Sequence, residues 1–386
     1  MPSALQLTIR LHPNDDVVIA RVQLIGGTLL QNEGVTVKGM VPPGHKVAIH
    51  SIPAGAPVRR YNQIIGFASR AIAAGEHVHV NNLAMGETFA RDYAFGEDVR
   101  PVVAAFPQAT FMDIKRADGR VATRNYIGLL STVNCSATVC KLIADHFRGD
   151  ALKDFPNVDG VVAITHSVGC GMDVHGEGML LLRRTLAGYA RHVNFHSVLV
   201  IGLGCEANQI SAFKAAEGLD DGPKLHSFNM QDVGGTGKAV AKGISLIKST
   251  LDDANKVTRE SVPAAQAVDK HGFVYMDTPG YDPVSATGQV AGGANLISFT
   301  TGRGSAYGCK PAPSLKLSTN NALWARQEED IDINCGDIVD SGVSIEEKGR
   351  EIFALILATA SGQASKSERW GYGADEYVPW YIGAVM

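Results

Sequence analysis

Long apolar runs are missing from this 386-residue chain; one of the longest, Ser197 to Leu203, falls far short of the roughly 20 residues a bilayer requires. Runs of Lys and Arg are missing as well, and 35 Lys+Arg against 39 Asp+Glu leave a formal net charge of −4. A protein that neutralises nucleic-acid phosphates needs the opposite balance, so neither nucleic acid nor membrane is an expected partner. The start, MPSALQLTIRLHPNDD, lacks a basic segment followed by an apolar one, so no secretory signal is read and a soluble, cytoplasmic protein is expected. Cysteine is sparse, at positions 135, 140, 170, 205, 309 and 335. In a chain of this length without a signal, reduced thiols are expected rather than disulfides. Aromatics make up only 7%, whereas glycine, at 42 residues, is plentiful beside 45% hydrophobic and 19% charged content. That mixture excludes a disordered chain and suits an α/β protein with many tight strand-to-helix turns around small polar ligands.

The pattern along the chain divides it into four stretches. Residues 1–95 read as a small all-β domain, with alternating segments at Gln6–Arg10, Val17–Leu24 and Val35–Val41 and a turn at Pro42-Pro43-Gly44. An internal echo runs through it, since Ile52-Pro53-Ala54-Gly55 and Ile72-Ala73-Ala74-Gly75 each lead into a Val three residues later. Residues 96–112 read as a linker. From 113 to 266, apolar runs at Tyr126–Ser131, Val158–Thr165 and Ser197–Gly202 end in Gly- or Cys-containing turns and are followed by helical patterns. That repetition predicts mainly parallel sheets with helices on both faces. A second α/β unit is expected over 267–386, with strands at Gly272–Met276, Asn295–Thr300 and Ser314–Ser318 and a helix at Ile345–Ser361. The expected fold class is therefore α/β multidomain behind a small all-β module.

Ligands in open α/β sheets bind beyond the carboxyl ends of the strands. Cys135, Cys170 and Cys205 each follow a predicted strand, so three thiols are expected along one rim. Such a set could hold Fe(II), another divalent metal or an iron–sulfur centre; equally, small buried residues fill tight turns. His166, four residues before Cys170, is a candidate base or ligand, and a turn histidine serving backbone carbonyls is the alternative. His12, beside Asp15 and Asp16, and His45, beside Lys46, are further catalytic candidates. Lys46, Arg60, Arg124 and Arg303 are candidates for holding a carboxylate. Two tempting motifs fail. Val233 to Ala239 lacks the first Gly and the Ser/Thr of a phosphate loop, and Gly202-Leu203-Gly204 is followed by a Cys unusual for a dinucleotide cradle.

Several motifs together resemble the altronate/galactarate dehydratase family. They are Ala117-Asp118-Gly119-Arg120 through Thr123-Arg124-Asn125, Val133-Asn134-Cys135-Ser136, Thr165-His166 with Gly169-Cys170-Gly171, Gly204-Cys205-Glu206, and Thr300-Thr301-Gly302-Arg303-Gly304-Ser305. Gly44-His45-Lys46, with Arg60-Tyr61, resembles that family's N-terminal SAF (antifreeze-like) domain. The resemblance implies a hydro-lyase that removes water from altronate or a related hexonate or hexarate, yielding a 2-keto-3-deoxy sugar acid. It implies Fe(II) dependence in the altronate branch, with a small sugar acid as partner; a homo-oligomer is left open. One departure stands out: where the family continues into a Cys-Gly-Gly-Ser-Asp motif and a long further segment, Ala265-Gln266 here runs straight into Ala267-Val268-Asp269. An impaired remnant that keeps metal or sugar-acid binding is therefore the alternative reading, and a hydrolase with Cys135 or Cys170 as nucleophile a further one.

Overall fold

The computed structural model describes residues 7–85, 109–263, 276 and 278–380. The chain divides into two compact units, Met1–Ala104 and Ala105–Met386. The expected linker 96–112 falls outside the described residues up to 108, and a strand already begins at Thr110. The strand expected at Gly272–Met276 lies outside them up to 275, as does the junction after Gln266.

The first unit is built from nine short strands: β1 (Thr8–Ile9), β2 (Val17–Ala20), β3 (Leu29–Leu30), β4 (Val35–Thr36), β5 (Lys46–Ala48), β6 (Pro57–Arg60), β7 (Gln63–Ala68), β8 (His77–Val78) and β9 (Leu83–Ala84). Strands β1-β2-β5-β8 form an antiparallel sheet and β6-β7-β9 another, with β3 and β4 paired apart. The sequence echo is a spatial one. Ile52 and Ile72 pair with each other, each amide donating to the other's carbonyl at 2.8 Å, and both side chains are buried. Gly55 and Gly75 take left-handed backbone at φ 77° and 80° in the two turns. Gly75 has no substitute, because a Cβ there would strike the Thr36 carbonyl oxygen.

In the second unit, β10 (Thr110–Lys115) pairs antiparallel with β11 (Val121–Ala122) and β16 (Glu260–Pro263). The main sheet is parallel, in the order β13-β12-β14-β15, from β12 (Tyr126–Ser131), β13 (Gly160–Ile164), β14 (Phe195–Gly202) and β15 (Leu225–Asn229). Between them run α1 (Asn134–His146), α2 (Glu177–Ala190) and α3 (Ile210–Glu217), followed by α4 (Met230–Val233) and α5 (Thr236–Asn255). Successive side chains of β12 serve opposite faces. Ile127 and Leu129 join the core formed with α1 and α5, whereas Tyr126 and Leu130 join the core formed with α2 and α3. Both faces are buried, which is why the strands read as continuous apolar runs. Beyond them lie α6 (Asp282–Ala291), the parallel strands β17 (Ile297–Thr301), β18 (Ser314–Ser318) and β19 (Ile333–Asn334), and α7 (Asn321–Gln327), α8 (Asp337–Asp340), α9 (Ile345–Ala360) and α10 (Lys366–Trp370). Residues Ala286, Val290, Ile297 and Tyr377 complete the core on the α2 face.

Candidate active site

The sheet order puts β12 between two connections that leave in opposite directions, and the crevice between the carboxyl ends of β12 and β14 is the switch point where such sheets bind ligands. Three loops are stitched together there. The Thr132 hydroxyl donates to Glu206 Oε1 at 2.8 Å. Glu206, 2% exposed, also accepts the Leu203 amide at 3.1 Å and the Gly204 amide at 2.6 Å. Asn208 donates its side-chain amide to the Thr132 carbonyl at 3.2 Å and accepts Arg183 Nε at 3.0 Å. Its backbone amide donates to the Gly169 carbonyl at 3.1 Å. Gly169 sits at φ 101°, and a Cβ there would come within 2.4 Å of the Thr132 carbonyl oxygen. Every buried polar group named here is paired, so the rim is rigid.

On this scaffold Cys135, Cys170 and Cys205 are all exposed, Cys135 in the first turn of α1. Helix α1 has no side-chain cap and no acidic residue in its first turn, and neither has α3. At α1 the Asn134 amide donates to the Val168 carbonyl at 3.0 Å and the Ser136 amide to the Val133 carbonyl at 3.1 Å, and the dipoles of both helices favour a negatively charged ligand. A cavity of about 490 Å³ opens beside α1, lined by Asn134, Thr138, Lys141, Thr165, His166 and Tyr377 among others. Lys141 pairs with Asp375 at 2.8 Å on its edge. The three thiols follow three neighbouring strands of one rim, but they do not form the expected cage. Among the described residues no three His, Cys, Asp or Glu side chains are grouped, as they stand, to hold a metal ion.

His166 lies against this cavity with both ring nitrogens committed to backbone. Nε2–H donates to the Ser131 carbonyl at 2.9 Å and Nδ1 accepts the Val168 amide at 3.3 Å. Burial pushes its pKa down to about 4, against the smaller upward effect of those bonds. The ring is a neutral brace for the loop after β13 and not a free base, as expected when a buried imidazole serves two backbone groups.

Arg124 also departs from its expected role. Its guanidinium grips Glu368 through two bonds of 2.7 and 2.8 Å and donates to the carbonyls of Thr123, Thr359 and Gln363. Burial opposes the charge, but Glu368 more than restores it, and no donor remains for a substrate. Arg303 is exposed in the loop after β17, in the other parallel sheet.

The remaining candidates belong to the first unit. His12 accepts the Asn14 amide on Nδ1 at 3.1 Å, and its own amide donates to Asp15 at 3.0 Å. Burial raises the Asp15 pKa, yet amides of Asn62, Tyr61 and His12 outweigh it and hold the carboxylate low. That carboxylate steadies the tip of the β6–β7 hairpin, where Tyr61 and Asn62 take left-handed backbone, both at φ 58°. Arg60 is exposed beside that tip. Lys46 is held below the usual lysine range by burial and by Arg60. His45 meets two histidines that sequence reasoning passed over, His77 and His79; its Nδ1 is 2.9 Å from His77 Nε2. Their His-x-His spacing was the available signal.

A β unit followed by a parallel sheet with a polar, anion-attracting rim defines an α/β enzyme scaffold, and the sequence comparisons place it. Residues 6–86 match the altronate/galactarate dehydratase SAF domain, 114–255 the second domain of D-galactarate dehydratase/altronate hydrolase, and 252–385 the D-galactarate/altronate dehydratase C-terminal domain. The chain belongs to this family of hydro-lyases. It is 24% identical to altronate dehydratase of Escherichia coli K12 and 22% to altronate dehydratase of Bacillus subtilis 168, each across 94% of this chain and 96% of the relative. It is 25% identical to galactarate dehydratase (L-threo-forming) of Escherichia coli K12, across 94% of both. The first two alignments run over 482 positions, 96 more than the 386 residues here, so a substantial segment of those relatives has no counterpart in this chain.

Proposed function

We propose that this chain dehydrates a hexonate or hexarate such as altronate or galactarate, and that the reaction takes place at the rim beyond β12, β13 and β14. The names of its relatives supply the substrate class, and the rim supplies the chemistry. A proton α to a carboxylate is weakly acidic, so the carboxylate must be held where positive potential offsets the charge that develops as the proton leaves. The uncapped amino end of α1, free of acidic side chains in its first turn and opening beside a cavity of about 490 Å³, is the observation that carries this reading. Thr138 and Thr165 offer hydroxyls for the sugar's own hydroxyls, and the Thr132–Glu206–Asn208 network fixes the loops that present them.

The cation expected of such an enzyme is Fe(II) first, and the three rim thiols as they stand are not grouped to hold it.

The test is turnover by the full chain of altronate and of galactarate, followed by the appearance of a 2-keto-3-deoxy acid. Formation of that product from either acid is the expected result. Binding of both acids without product would instead favour the impaired-remnant reading, and binding of neither would remove the proposal.

A further inference from the structure

The imidazoles of His45, His77 and His79 sit together in the first unit, and we propose that they are the chain's binding site for a divalent transition metal, in place of the rim thiols. β5 and β8 pair with Lys46 opposite Val78 and Val47 opposite His77; His45 immediately precedes β5 and His79 immediately follows β8. The three rings contact one another, and each is half-buried.

Their ring spacing is close to that of a metal site, although as they stand these three side chains, like the rim thiols, are not grouped to hold an ion. Ring centroids lie 5.1, 5.0 and 5.4 Å apart, a near-equilateral triangle. Three imidazoles on one ion, with metal–nitrogen bonds of about 2.0–2.1 Å, place their centroids about 5 Å apart. His45 Nδ1 and His77 Nε2 share a hydrogen bond of 2.9 Å, and the same separation suits two nitrogen ligands at about a right angle on one ion that would replace the shared proton. His79 lies within 12° of parallel to His45, so a turn of its ring is needed to bring a nitrogen towards that pair. That turn is the difference between the side chains as they stand and a three-nitrogen site. Imidazole donors suit Fe(II), Co(II) and Zn(II), and three of them leave further coordination positions open. The charge of Lys46, which acts on His77, disfavours a cation, but Lys46 alternates with Val47, the residue opposite His77, and so extends from the other face of β5.

The site is tested by counting metal, with no substrate present. The full chain is stripped with a chelator and titrated with Co(II), reading stoichiometry and the visible absorption of the bound ion. One Co(II) per chain is expected, without thiolate-to-cobalt charge transfer. His77→Gln and His79→Gln should each weaken binding at least a hundredfold, whereas a combined Cys135→Ser, Cys170→Ser and Cys205→Ser chain should bind as the parent does. His45→Asn serves as a second probe should His77→Gln fail to fold, as judged by circular dichroism. Absence of bound Co(II), unchanged affinity in the His variants, or thiolate charge transfer that vanishes in the Cys variant would each overturn the assignment. Because the readout needs no turnover, this site and the dehydratase reading can fail separately.

Discussion

The Thr132 hydroxyl and the Glu206 carboxylate, 74 residues apart in sequence, meet at 2.8 Å at the point where the strand order of the main sheet reverses. Glu206 is enclosed and accepts two backbone amides besides, so three donors satisfy one buried charge.

Glu206→Gln keeps the size of the side chain but turns an amide donor towards the Leu203 or Gly204 amide. A loss of about 1–3 kcal/mol in urea unfolding is expected from that mismatch. Turnover of the sugar acid should fall at least tenfold while the secondary structure seen by circular dichroism persists. Parent-like stability and turnover would show that the network does not hold the rim.

Arg124→Ala should act on stability and leave substrate affinity alone. The change strips Glu368 of its partner in a buried site and orphans three carbonyls. Removal of one member of such a pair costs about 3–5 kcal/mol. Denaturation should register that loss, and the fraction that stays folded should show an unchanged KM. A raised KM at parent stability would return Arg124 to the substrate.

Acid should loosen the loop after β13 through His166. Its folded pKa, about 4, lies below the ordinary value of 6.5, so the unfolded chain binds the proton more readily. Stability from this ring is complete above pH 6.5 and is lost as pH falls towards 4, in total on the order of 3 kcal/mol at 1.36 kcal/mol per unit. His166→Gln, whose side-chain amide can still donate to the Ser131 carbonyl, should flatten that stretch of the stability-against-pH curve. An identical slope in both proteins would remove His166 as the cause.

Gly169→Ala places a methyl group against the Thr132 carbonyl and forces left-handed backbone on a residue with a side chain. The backbone cost alone is about 1–3 kcal/mol. Turnover and thermal stability should fall together, and a parent-like melting curve would show that the loop can shift freely.

Much of the fold was legible because it rests on local pattern. The runs Tyr126–Ser131 and Ser314–Ser318 are strands with those same bounds, and the paired Ile-x-Ala-Gly segments mark two turns that face each other. Helix α5 shows how a local pattern can be passed over. Attention to Val233–Ala239 as a phosphate loop hides Ala239, Gly243, Ile247, Leu251 and Ala254, which recur at helical spacing and are all buried.

Residue types and periodicity by themselves determined the β unit, the parallel sheet and the placing of three thiols at strand ends, while particular motifs carried the resemblance to the family. Which of those groups are free to act was decided only in three dimensions. Arg124 is spent on Glu368, 244 positions away, and His166 on Ser131, 35 positions away. His45 acquires His77 and His79 because β5 and β8 pair in one register. Spacing along a chain tells which side chains share a face, but hydrogen-bonding capacity is finite, and only packing reveals which donors and acceptors are already used.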